Sequence, residues 1–370
     1  MKRIIVDGAN GYVASHFIGE LLAQNYEVIA LVRGNKKCSA YDRMNSALSE
    51  VNNNEDTIPE NLKIFNYSLL SEDFGMTKKQ LKEIFDGSAD YFHFAASLKY
   101  DFKSREEIFR TNIDGVENSL RVFSKYATQY SRFFFISTAY SCGTNPALFK
   151  EIFYNNEDIS RFRNYYEQSK RFAENVVKKY MEAHAIDGHI LRLSQVVGNN
   201  HTGITKTDYG IFDFAKRIYN LSSRYPERTV RVCFDPDSTQ NLIPIDTVTH
   251  YLMKIVENPA VPVIMNFVGK NAIRNIHIIN SLNELLPINI VPDKSLQKRD
   301  MDSFERIISI GMSFTSSYTG TNISFDTTNL NKVVGQTDNE VTEQSVFSML
   351  KYFISNLSSQ KKGTVIKTAC

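Results

Sequence analysis

An apolar run, Arg3-Ile-Ile-Val6, breaks at once into Gly8-Ala-Asn-Gly11-Tyr-Val-Ala14 and then into a helical pattern with Tyr12, Phe17, Ile18, Leu21 and Leu22 on its apolar side. This strand–turn–helix corner constrains the fold more than any other stretch. Its glycines let the backbone turn tightly and approach a pyrophosphate, and the following helix start offers free N–H groups and a positive dipole end. Ala14 is small enough for the helix to pack close to the strand. The competing reading is a plain corner with no ligand. The rhythm then repeats. Residues 27–32, 62–65, 90–94, 132–136 and 189–193 read as strands. Between them lie a polar helix reaching about residue 53, a helix at 81–85, a long helix over about 104–128 and a helix following Tyr166. Strands that are apolar runs without alternation, separated by helices, predict a parallel sheet covered on both faces. Right-handed crossovers make it doubly wound.

After residue 198 the pattern loosens. Residues 203–209 read as a loop, 230–234 and 263–268 as strands, and 212–221, 247–256, 276–286, 304–310 and 346–357 as helices. The Asn-rich stretch 52–56 reads as a surface loop. The 43 basic and 41 acidic residues are spread without a stripe, so nucleic acid is not an expected partner. Cys38, Cys142, Cys233 and Cys370 show neither metal-ligand spacing nor a disulfide framework. No metal is expected, and a reducing compartment suits these thiols. Cys370 is the last residue, so it is not the cysteine of a prenylation signal. No apolar run spans a bilayer and no secretory segment precedes the first strand, so a cytoplasmic protein is expected.

Two further features bear on chemistry. Tyr166-Glu-Gln-Ser-Lys170 places a phenol and an ammonium four residues apart, on one face of a helix. A neighbouring Lys⁺ lowers a phenol's pKa and makes it a usable proton donor. The alternative is a solvated surface pair. The second strand ends in Val32-Arg33-Gly34, with Arg43 ten residues on and no acid at the strand end. An acid there would bond a ribose 2′-OH and repel a 2′-phosphate, whereas a guanidinium suits the phosphate. NADP(H) is therefore the expected cofactor.

Together these stretches resemble the extended short-chain dehydrogenase/reductase family. Four signatures match in order: Gly8-x-x-Gly11-x-x-Ala14, His93-Phe-Ala-Ala96, Ser137-Thr-Ala-Tyr140 and Tyr166-x-x-x-Lys170. The chain is most similar to the thioester-reductase and fatty-acyl-CoA-reductase branch, the male-sterility-type NAD-binding group. It shares that branch's Leu31-Val-Arg33 with Arg43, its Gly75-Met76 pair, its run from Arg192 through Gly198 to Gly203, and its Asn241-Leu-Ile-Pro-Ile-Asp246 segment. Leu193 stands where the branch has Pro, and Ser68 where an Asp caps the adenine.

The resemblance implies an α/β fold: a doubly wound parallel Rossmann sheet with a smaller, discontinuous α/β substrate-binding subdomain. The expected division is an NADP-binding domain over 1–198 with 240–268 returning to it, a substrate-binding subdomain over 199–239 and 269–335, and a C-terminal helix and tail over 336–370. It also implies roles. Thr138 would bond the substrate carbonyl oxygen, Tyr166 would donate a proton, and Lys170 would lower its pKa and hold the nicotinamide ribose. Gly8, Asn10, Gly11, Tyr12 and Val13 would meet the pyrophosphate, Arg33 and Arg43 the 2′-phosphate, and Ser68 and Leu69 the adenine. Ala95, Ala96 and Ser97 would lie against the cofactor, with Asn112 behind it or simply tying helix to strand. Leu193, Ser194 and Val196 would reach the nicotinamide. His93 reads as structural and His201 as a candidate for substrate contact.

The expected reaction is NADPH-dependent reduction of an acyl thioester, or of a free aldehyde or ketone. The chain contains no recognisable adenylation or carrier segment, so a thioester would arrive on CoA or a separate carrier protein. Residues 199–209 and 298–326, with Phe304, Ile307, Phe314 and Tyr318, would shape its access. A nucleotide-sugar epimerase or dehydratase of the same fold is the alternative; it would favour an acid where Arg33 stands. A dinucleotide sensor without activity is a third reading, against which both Tyr166 and Lys170 count. Related folds pair through the helices near 104–128 and 166–184, so a homodimer is a further expectation.

Overall fold

The computed structural model describes residues 3–51, 58–145, 147–311, 317–318, 320–335 and 341–362. The Asn-rich loop and Phe314 lie outside them. In chain order the first half runs β1 (Arg3–Asp7), α1 (Tyr12–Ala23), β2 (Val28–Val32), α2 (Ala40–Val51), β3 (Leu62–Asn66), α3 (Lys78–Ile84) and β4 (Ala89–His93). It continues through α4 (Arg105–Phe109), α5 (Gly115–Tyr126), β5 (Arg132–Thr138), α6 (Tyr165–His184), β6 (Asp187–Leu193) and β7 (Gln195–Val197). The second half contains α7 (Ile211–Ser222), β8 (Thr229–Val232), β9 (Thr239–Gln240), β10 (Leu242–Pro244), α8 (Ile245–Glu257), β11 (Ile264–Phe267) and β12 (Ile273–Arg274). It closes with α9 (Asn275–Leu285), β13 (Asn289–Pro292), α10 (Ser303–Gly311), α11 (Thr328–Val334) and α12 (Glu343–Lys362).

Seven strands form one parallel sheet in the order β3-β2-β1-β4-β5-β6-β11. This is the expected doubly wound arrangement. Its strands lack apolar alternation because both faces are covered. In β5, Phe134 packs with α1 and α8 on one face, while Phe133 and Phe135 pack with α5 and α6 on the other. Successive side chains of a strand point to opposite faces, so a strand buried on both sides must be apolar throughout. The second half builds its own core from Phe212 and Phe214 of α7, Val230 of β8, Ile278 of α9 and Met349 and Phe353 of α12. Two boundaries differ from the expected division. The C-terminal helix α12 lies within this second core, against α7 and α9, and does not stand apart. Leu330 of α11, given to the substrate subdomain, packs in the first core beside β11 and α8.

The long helix expected over 104–128 is not uniform. Between α4 and α5 the residues Arg110–Asp114 form a π-helical turn. The extra residue in that turn brings Asn112 inward, where it is buried. Its Nδ2 donates to Ser169 Oγ at 2.9 Å, and its Oδ1 accepts from Ser97 N at 2.7 Å. Asn112 therefore ties the loop after β4 to α6.

A buried ion pair holds α6 to the sheet. Arg192 of β6 is fully buried and donates to both oxygens of Glu174, at 3.0 Å from Nε and 2.7 Å from Nη2. Glu174 also accepts from Ser137 Oγ at 2.6 Å and Ser141 Oγ at 3.1 Å. The remaining Arg192 donors reach the carbonyls of Lys150 and Ile152. Every charge-bearing group here has a partner, which is what lets such a pair persist without water. Removing one member leaves the other buried and uncompensated. Glu174→Ala should cost about 3–5 kcal/mol in urea-unfolding measurements; a loss below about 1 kcal/mol would show that Arg192 finds other compensation.

Candidate active site

The site starts beneath the first turn. Asp7, the last residue of β1, has no exposed surface. Its Oδ1 accepts from Phe94 N at 2.8 Å and Ala95 N at 2.9 Å. Its Oδ2 accepts from Tyr91 Oη at 2.8 Å and pairs with His93 Nδ1 at 2.5 Å. His93 is thus a structural residue. These bonds draw the ends of β1 and β4 together. Gly8 follows with φ of +57°, and a Cβ there would sit 2.8 Å from Ala95 N. Only glycine meets both demands. Gly11 then precedes α1 with no side-chain cap, and the helix has no acid in its first turn. Its first N–H groups therefore remain available to an anion.

One cavity of about 590 Å³ runs along this edge of the sheet. Gly8, Asn10, Gly11, Tyr12 and Val13 line it at the first turn, and Arg33, Arg43 and Leu69 line it beyond β2 and β3. Ala95 and Ala96 follow β4, Leu193 ends β6, and Ser194 and Val196 come just after it. Thr138, Tyr166 and Lys170 complete the wall. Ser68, Ser97 and Asn112 do not line it. Ser68 Oγ accepts from Ser71 Oγ at 2.8 Å, and Ser97 and Asn112 bond each other. Gly115, three residues after Asn112, leaves room for Leu69, whose Cδ2 would lie 2.7 Å from a Cβ there.

Arg43 donates to the backbone carbonyl of Arg33. Among the described residues neither guanidinium has a carboxylate partner, so both remain able to meet a phosphate. The uncapped α1 start, the glycine turn and these two cations fit a dinucleotide.

The catalytic candidates meet at the ends of β5 and α6, though their electrostatics differ from the sequence expectation. Lys170 does not hydrogen-bond to the Tyr166 phenol. Its Nζ donates to Ile136 O at 2.8 Å and lies 4.8 Å from the Phe135 ring centroid. Burial pushes the ammonium down to about 8, against the opposing pull of Asp7 and Glu174. Burial, with the Glu167 carboxylate and Tyr209 nearby, raises the Tyr166 phenol above the ordinary tyrosine value. Lys170 is not among the groups that shift the phenol; burial comes first, and Glu167 and Tyr209 add to it. Tyr166 is held as a neutral phenol, a donor. Thr138 Oγ1 donates to Leu193 O at 3.3 Å, a long bond, and accepts from Tyr140 N.

The second half supplies Thr207, Tyr209, Gly210, Gln240 and Tyr318 to the wall. Ser194 Oγ and Gln195 Nε2 are buried without a protein partner among the described residues, and both residues line the cavity. His201 is absent from the wall; it is largely exposed and faces Asp246 at 3.7 Å. Phe304 is elsewhere too, stacked edge-on with Tyr225 and beneath Arg228, and Ile307 is solvent-exposed. Sequence reasoning missed Asp7 and Glu167. An acid ending an apolar strand was a readable signal for the first. Nothing in the sequence marked Glu167 beyond its place next to Tyr166.

Lys170 carries a pH signature. Its native value lies below the ordinary 10.5, so between about 8 and 10.5 the unfolded chain holds a proton that the folded chain does not. The contribution of Lys170 to stability then rises with pH across that window, by up to on the order of 3 kcal/mol, with the full penalty of burying the charge present below it. In Lys170→Met this slope should vanish, so the stability of wild type relative to the variant climbs from pH 8 to 10.5 and is flat below. A flat difference throughout, measured by denaturant titration, would show that Lys170 is not desolvated.

Comparison with known proteins agrees with this geometry. A putative fatty acyl-CoA reductase of Drosophila melanogaster is 26% identical over 162 residues, covering 42% of this chain and 29% of the relative. The chain spans less than a third of the length of each curated relative it matches. Among solved structures, the terminal R domain of the myxalamid PKS-NRPS biosynthetic pathway superposes with a TM-score of 0.78 at 16% identity, over 99% of this chain and 93% of that one. UDP-glucuronic acid 4-epimerase from Bacillus cereus, solved with NAD, gives 0.66 at 16% identity, over 98% and 99%. Residues 6–252 match the NAD-binding family described as male sterility protein. No described helix is long and apolar enough to cross a membrane. The chain belongs to the NAD-binding family described as male sterility protein.

Proposed function

We propose that the protein is an NADPH-dependent reductase of an acyl thioester, presented on CoA or on a separate carrier protein, yielding an aldehyde or alcohol. A free aldehyde or ketone is the simpler substrate of the same chemistry. One observation carries the reading. Among the described residues, the cations of the cavity wall, Arg33, Arg43 and Lys170, all come from the dinucleotide-binding half, and those that the second half contributes carry no formal charge. A nucleotide sugar would bring a diphosphate into that half, and a buried diphosphate calls for cations or many donors. An acyl chain asks only for apolar surface, so the epimerase reading is disfavoured.

A nicotinamide, when bound, supplies hydride to the carbonyl carbon. The chain's residues do the rest. Among the described residues the Tyr166 phenol has no hydrogen-bond partner, and burial keeps it protonated, so it is free to donate to the carbonyl oxygen as charge develops there. Thr138 Oγ1 can exchange its long bond to Leu193 O for the same oxygen and share that charge. Lys170 would hold the ribose while Ile136 O fixes its Nζ. From a thioester, the first reduction gives a hemithioacetal; loss of thiol then leaves the aldehyde. Arg33 and Arg43 would select the 2′-phosphate.

Following NADPH oxidation with acyl-CoAs, a carrier-bound acyl thioester and free aldehydes side by side tests the reading. Turnover on thioesters is expected; activity on aldehydes alone would make the protein a carbonyl reductase. Tyr166→Phe should lower kcat by about 10²–10⁴-fold with NADPH affinity near that of wild type; retained turnover removes Tyr166 from the mechanism. Arg33→Ala should raise the NADPH KM roughly ten- to hundredfold and leave the NADH KM nearly unchanged. Equal changes would sink the NADP assignment.

A further inference from the structure

The cavity ends at a wall shared with a second, much smaller void of about 10 Å³. Tyr140, Gln240 and Tyr318 line both spaces. Beyond them lie Thr321, Ile323 and Phe325. The rings of Tyr140 and Tyr318 meet edge to face with centroids 5.0 Å apart, so together they close this wall. Gln240 is held by its amide, which donates to Asn275 Oδ1 at 2.8 Å.

Tyr318 is fixed at its hydroxyl. It donates to Glu167 Oε1 at 2.7 Å and accepts from Asn164 Nδ2 at 3.0 Å. Glu167 is fully buried and also accepts from Arg163 N at 3.0 Å. Swinging the ring away would leave a buried carboxylate short of a donor. Elsewhere the cavity is open: Tyr209 is 54% exposed and Leu98 is 48% exposed. A thioester whose carrier must remain outside comes in past these residues and directs its acyl end toward the closed wall.

We propose that Tyr318, with Tyr140, forms the end wall of the acyl site and sets the longest chain the protein accepts. This rests on the acyl-substrate reading above. Tyr318 is then a specificity-determining residue, and removing its ring joins the cavity to the void lined by Thr321, Ile323 and Phe325.

The test is calorimetric binding of linear carboxamides, from butyramide to hexadecanamide, with the oxidised cofactor present. These amides mimic the acyl carbonyl and need no turnover. Wild type should gain about fourfold in affinity per methylene up to a limiting length and then lose it. Tyr318→Ala and the bulkier Tyr318→Leu should move that limit to longer chains, with about fourfold gained for each methylene newly accommodated. Tyr318→Phe, which keeps the ring and loses the bond to Glu167, should keep the wild-type limit. An unchanged limit in both the Ala and Leu variants overturns the proposal, as does the same shift in the Phe variant. Binding of no amide by wild type would overturn the acyl reading itself, and is distinguishable because it appears before any substitution is made.

Discussion

A single buried carboxylate organises the cofactor edge of this molecule. Asp7 gathers four donors, two from the backbone after β4 and two from side chains on β4 itself. That arrangement brings Gly8 so near Ala95 that no larger residue fits. A carboxylate buried at the centre of a sheet is costly unless its lone pairs are met. Here they are met by the groups that must be brought together to shape the cofactor turn. The cost of burying the charge and the geometry of the turn are thus satisfied by one set of bonds.

Helix α6 follows the same rule on a larger scale. α6 carries Glu167, Lys170, Arg171 and Glu174 as buried residues. Glu174 answers Arg192, Lys170 donates to a carbonyl of β5, and Glu167 is met by Arg163 and Tyr318. Such a helix cannot slide or rotate without stranding a charge, so Tyr166 is presented in one orientation. What this costs in stability it returns as a fixed orientation of the Tyr166 phenol.

The sheet was legible because strands buried on both faces must be written as apolar runs, and β1 to β6 fall within about two residues of where those runs lie. The cavity-lining turn was legible because glycine at a strand–helix corner has few other uses. The π turn at Asn112 was not, since a one-residue insertion leaves the helical pattern on either side intact. The Tyr166–Lys170 spacing was readable, but not its electrostatics: spacing says that two groups share a face, whereas desolvation depends on what the rest of the chain places over them. Phe304 and His201 show the same limit. Their side-chain chemistry suited a substrate wall, but the packing of the second half put one beneath Arg228 and the other in solvent.

The bond from Tyr318 to Glu167 joins residues 151 positions apart, and Phe149 pairs with Phe325 across a similar span. Contacts of such separation form late, because a long loop must close before they repay its entropy. Strands β1 to β6 pair with one another without anything beyond residue 193, although the face that α1 covers is completed only by α8. On a ribosome the glycine turn and its uncapped helix are therefore complete while the last wall of the cavity is still unsynthesised. The glycine turn is thus laid down well before the wall that Tyr318 closes.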